Sequence, residues 1–82
     1  MPRFYFDVSV GDDFTRDGVG FDYESLEVAE YEAACAASEI GHDNLPRRRT
    51  SEICVCVRDK EGFLLCTVEV AVAVHRTIRA LA

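Results

Sequence analysis

Eighty-two residues, about half of them apolar, make one domain near the lower size at which a single core suffices, which excludes global disorder. The formal charge is -6, from 15 acidic and 9 basic residues, and such a surface disfavours phosphate backbones and anionic lipid as partners. No apolar run approaches the roughly 20 residues of a membrane span, and Asp7 interrupts "MPRFYFDV" too early for a secretory signal, so we expect a cytoplasmic protein with reduced thiols and no membrane role.

Residues 4–10, "FYFDVSV", alternate as a strand does: Phe4, Phe6, Val8 and Val10 share one face, and Tyr5, Asp7 and Ser9 the other. Gly11 to Asp13 is a turn signal, so Phe14 to Arg16 is expected to return as a short second strand. "DGVG", Asp17 to Gly20, then supplies positions tolerant of positive φ before the periodicity changes. Ser25 is the expected N-cap of a helix from Leu26 to about Ile40, with Glu27 in the first turn. Leu26, Ala29, Ala33, Ala36, Ala37 and Ile40 form its buried stripe, and alanine there lets the helix sit close against a sheet. Gly41 and then Leu45-Pro46 are the expected stop.

"ICVCVRDKEGFLLC", Ile53 to Cys66, is a second hairpin. A four-residue loop, Asp59 to Gly62, would pair Arg58 with Phe63, Val57 with Leu64, Val55 with Cys66 and Ile53 with Val68. It gathers Ile53, Val55, Val57, Leu64, Cys66, Val68, Val70 and Val72 on one face. A three-residue loop with a glycine bulge would slip the pairing by one and put Thr67 and Glu69 among those valines, so burial favours the four-residue loop. In that register Cys66 faces the core, Cys54 and Cys56 face away, and Cys35 points outward from the helix. The four sulfurs then diverge, whereas a four-thiolate zinc site needs them to converge. No metal site and no cofactor is expected.

"DFTRDGVGFDYE", Asp13 to Glu24, imitates a calcium loop, with Asp13, Thr15, Asp17, Gly18 and Glu24 at ligand and turn positions. Gly20 stands where an aliphatic residue belongs, and a strand precedes Asp13 where the motif requires a helix. Arg47, Arg48 and Arg49 are the one dense basic cluster and a candidate anion contact, but no aromatic residue is interleaved. Catalysis is not expected either. Cys35 and His42 are about 10.5 Å apart along the helix, and Ser38 and His42 lack an orienting carboxylate. On the sheet's second face, however, Cys54, Cys56, Phe63 and Leu65 would be exposed, and a half-apolar outer face suggests an interface.

The opening "MPRFYFDV", the Gly-Asp turn, "RDGVGF", the alanine-rich helix and "VRDKEG" form a series over roughly residues 1–72. It resembles a family of short bacterial proteins of unknown function that open with Met, Pro, a basic residue and an aromatic run ending in Phe-Asp-Val. The resemblance implies a hairpin, helix, hairpin order, and polar residues at the positions of Cys54 and Cys56. It implies no activity, ligand or catalytic residue. Residues 73–82 read as a C-terminal extension of the single domain 1–82.

These readings converge on an α+β fold in ββαββ order, a four-stranded antiparallel sheet with one helix packed on one face. The expected function is a non-enzymatic cytosolic binding or regulatory module that self-associates, as a homodimer or with a protein partner. One alternative is a nucleic-acid-binding or antitoxin-type regulator using Arg47 to Arg49, and another is a metal-dependent switch.

Overall fold

The computed structural model describes residues 1–46, 52–73 and 75–77. Strand β1 (Arg3–Val10) turns into β2 (Asp13–Thr15), and β3 (Phe21–Asp22) follows. Helix α1 (Leu26–Asn44) leads to β4 (Glu52–Asp59) and β5 (Leu64–Ala71). All pairings are antiparallel, in the order β2-β1-β4-β5, with β3 on the same edge of β1 as β2. The α+β architecture is the expected one, but the sheet has five strands rather than four, because the return of the first hairpin is broken in two.

The break has a local cause. β2 pairs with Val8 to Val10 and β3 with Arg3 and Phe4, so Arg16 to Gly20 bulge away opposite the middle of β1. Phe6 N–H would lose its ladder partner there, and an unpaired backbone donor is costly. The Asp17 carboxylate replaces that partner, accepting from Phe6 N–H at 3.0 Å and also from the N–H groups of Val19 and Gly20. Gly20 closes the excursion at φ 75°, where a Cβ would lie 2.8 Å from the Tyr5 ring. No other residue fits both demands.

Ser25 caps the helix as its sequence position suggests, its Oγ accepting from Val28 N–H at 3.2 Å. The alanine stripe is the contact: Ala29, Ala33 and Ala37 are fully buried against the sheet, with Leu26 and Ile40 packed at its margin. At about 1.5 Å per residue the 19-residue helix spans about 28 Å, close to the length of the eight-residue strands beneath it. The expected stop at Gly41 is overturned. The helix runs through Gly41 to Asn44, and Gly41 is buried so closely that a Cβ there would sit 3.2 Å from Leu45 Cδ1 and 3.3 Å from Val70 Cγ1. Close approach to β5, rather than helix termination, explains this glycine.

The expected register of the second hairpin is also corrected. Asp59 N–H donates to Phe63 C=O, Gly62 N–H donates to Asp59 C=O, and Gly62 has φ 93°. This is the three-residue loop with a glycine bulge. Arg58 therefore pairs with Leu64 rather than Phe63. The ladder then shifts again between Val57 and Arg58, so that Val57 pairs with Cys66, Val55 with Val68 and Ile53 with Val70. Leu65 is the extra residue at this second irregularity. The net displacement from the expected pairing is two residues, and a slip of two preserves the faces of a strand. Ile53, Val55 and Val57 are accordingly fully buried, with Cys66, Val68 and Val70 beside them. Leu64, expected in the core, is 62% exposed because it lies on the loop side of the shift, and Val72 lies past the end of β5, exposed.

Candidate functional site on the outer face of the sheet

The face of the sheet away from α1 brings together Tyr5 and Asp7 of β1, Cys54, Cys56 and Arg58 of β4, and Thr67 and Glu69 of β5. Its centre is an ion pair. Arg58 Nε donates to Asp7 Oδ2 at 2.8 Å, its Nη2 donates to Asp17 C=O at 2.6 Å, and its guanidinium lies 4.7 Å above the centre of the Tyr5 ring. The second Asp7 oxygen accepts from Asp17 N–H at 2.9 Å. Asp7 is only 6% exposed, although its place in the alternation is on the outer side. The 16–20 excursion and the Arg58 side chain cover it.

Burial alone would push the Asp7 carboxyl up. The Arg58 hydrogen bond, the Asp17 N–H and the charges of Arg58 and Arg16 outweigh burial and hold it below its ordinary value. Asp17 follows the same pattern: burial opposes ionisation, but hydrogen bonds from Gly20, Phe6 and Val19 N–H groups and the Arg58 charge lower it. Both carboxylates and the guanidinium thus have their hydrogen-bonding capacity turned inward, tying β1, the excursion and β4 together. This network is structural, and it leaves Asp17 little capacity for a cation. Asp13 and Thr15 lie in β2, exposed, and Glu24 follows β3, so the calcium-like spacing is stretched over two strands rather than wrapped around a centre.

Cys54 and Cys56 do face outward, half-buried, with their sulfurs 3.8 Å apart. The Cys54 thiol is pushed up to about 11, by burial first, then by the Cys56 hydrogen bond and the negative charges of Glu69 and Glu52. Such a thiol is a poor nucleophile near neutral pH. Cys66 lies on the helix side of β5, and burial raises it as well. Cys35, expected to point outward, is half-buried. Among the described residues, no group of three or more His, Cys, Asp or Glu side chains is placed to hold a metal ion. Ser38, Glu39, His42 and Asp43 line an open depression on the exposed side of α1. Arg47, Arg48 and Arg49 lie outside the described residues.

Two of the expected interface residues stand at the tip of the second hairpin. Phe63 is 65% exposed and Leu65 38%, and Leu64 joins them. The Asp59 carboxylate fixes this tip by accepting from the N–H groups of Glu61 and Phe63. The apolar side chains are therefore displayed on a braced turn. The sequence reading missed Asp7, Asp17 and Tyr5. A signal for Asp17 was present in "RDGVG", since aspartate before glycine commonly bonds nearby backbone. Nothing local signals an Asp7–Arg58 pair separated by 51 positions.

Residues 3–71 match the model of one protein family, described as a domain of unknown function (DUF6894). Neither a curated protein nor a solved structure matches the chain. Among the described residues no helix is long and apolar enough to cross a membrane.

Proposed function

Since the chain belongs to the family described as a domain of unknown function (DUF6894), we propose from its geometry that it is a non-enzymatic, self-associating binding module whose contact surface is the β4–β5 hairpin. The observation that carries this reading is the exposure of three consecutive large apolar residues, Phe63, Leu64 and Leu65, on a turn braced by Asp59. Contiguous apolar exposure of this kind marks interaction surfaces more often than isolated residues do. The polar groups of the outer face support the same reading, because Asp7, Asp17 and Arg58 serve the fold rather than a reacting group. Four free cysteines suit a reducing cytoplasm.

Sedimentation equilibrium provides the test. At high protein concentration the mass should approach that of two chains, and it should fall on dilution. Phe63→Ser with Leu64→Ser should weaken association while leaving the far-ultraviolet spectrum unchanged. A single-chain mass throughout would sink the proposal.

A further inference from the structure

The two edges of the sheet are built differently. On the β1 side the edge is three residues, a five-residue excursion and two residues, and so short and kinked an edge resists pairing with another chain. On the β5 side the strand runs for eight residues, Leu64–Ala71, without proline, lysine or arginine, and beyond the irregularity at Leu65 its pairing with β4 is regular from Cys66 to Ala71. Among the described residues nothing pairs with its outer edge. The apolar layer continues to that edge as well. Ile53, Val55 and Val57 of β4 are sealed, whereas Cys66, Val68 and Val70 of β5 stay only half-buried.

We infer that β5 pairs antiparallel with β5 of a second copy of this chain, centred on Val68. The inference rests on the self-association reading and names the surface and register by which it occurs. Residues 64–72, "LLCTVEVAV", are nearly palindromic in polarity about Val68. Centred there, Cys66 opposes Val70, Thr67 opposes Glu69, Val68 opposes its own copy, and Leu65 and Leu64 come beside Ala71 and Val72 respectively. Apolar groups meet apolar groups, and the one charge of the strand meets a hydroxyl. Centring on Glu69 would oppose two carboxylates, and centring on Thr67 would set Glu69 against Leu65, both poorer cross-strand pairs. The pairing continues the sheet across both copies and covers the half-buried Cys66, Val68 and Val70 from the side.

The register makes the sign of a charge change diagnostic. Thr67 and Glu69 are both exposed, so their substitution spares the core. Thr67→Lys places an ammonium opposite the Glu69 of the other copy, at two symmetric positions, and should tighten the dimer roughly 2- to 30-fold. Thr67→Glu opposes carboxylates and should loosen it by a similar factor. T67E/E69K restores opposite charges and should bring affinity back to or above that of the parent. Asp12→Asn, at the other edge, reports the effect of net charge alone. Sedimentation measures all four against the parent chain, with circular dichroism as the folding control. Opposite shifts for the lysine and glutamate variants, larger than that of Asp12→Asn, support the pairing. Equal or absent shifts in a chain that still dimerises would overturn it while leaving self-association standing through another surface. A parent chain that stays single would overturn both.

Discussion

Arg58 does three things that a lysine cannot do together: it bonds Asp7, reaches Asp17 C=O and stacks on Tyr5. A planar guanidinium offers several donors in a fixed fork, whereas an ammonium is a point charge on a flexible stem. Both partners of the Asp7–Arg58 pair are about nine-tenths buried. Removing one partner leaves the other desolvated without compensation. Arg58→Met should therefore lower stability clearly more than Arg3→Met does at the exposed pair with Asp22, and Arg58→Lys should recover only part of that loss. Denaturant titrations of these proteins check this. A methionine variant as stable as the parent would show that Asp7 is not held by this charge. The exposed Arg3–Asp22 pair, also close at 3.0 Å, is a contrast at the same scale, since solvent screens it and little stability follows from it.

At the scale of elements, the second hairpin shows how a turn and a face can disagree and be reconciled. Gly62 selects the three-residue loop, which by itself would send Thr67 and Glu69 under the helix. Leu65 absorbs the mismatch as one extra residue, and Val68 and Val70 return to the core side. Deleting Leu65 should therefore remove the irregularity without changing which side chains face the helix, because Arg58–Leu64 and Val57–Cys66 would become consecutive pairs. We expect the stability of this deletion to stay within about 1 kcal/mol of the parent, the loss of one part-exposed leucine being offset by a regular ladder. Amide exchange and the chemical shifts of Val68 and Val70 read the outcome. Loss of protection across β5 would show that the extra residue is required for more than register. The helix carries a related lesson. Gly41 would be a stop in an isolated segment, yet close packing on Val70 and Leu45 keeps it inside the helix despite a propensity cost of about 1 kcal/mol relative to alanine.

For the whole molecule, stability should form a plateau bounded by two different groups of side chains. Asp7 and Asp17 have lowered folded-state values, so their contribution is fully present above the ordinary carboxylate range, about pH 4, and is lost as pH falls through the folded values. Cys54 is raised from 9.0 to about 11. The sign is then reversed: its contribution is full below pH 9 and fades as pH rises towards 11. Thermal midpoints should be flat between these limits and fall on both sides, and Cys54→Ala should make the alkaline limb shallower, with Cys66 and Tyr23 keeping part of it, while leaving the acid limb unchanged. An acid limb unchanged by Asp7→Asn would contradict the role given to that carboxylate.

The chain by itself determined the α+β class, the helix cap at Ser25, the alanine stripe and the inward direction of Ile53, Val55 and Val57. Each of these follows from local periodicity and capping chemistry, which a few adjacent residues express. Tertiary structure alone decided the Asp7–Arg58 pair, the splitting of β2 from β3, the continuation of α1 through Gly41 and the shift at Leu65. Those outcomes depend on groups far apart in the chain competing for the same buried space and the same backbone donors. Such competition has no period to read and is settled only when the layers close on one another.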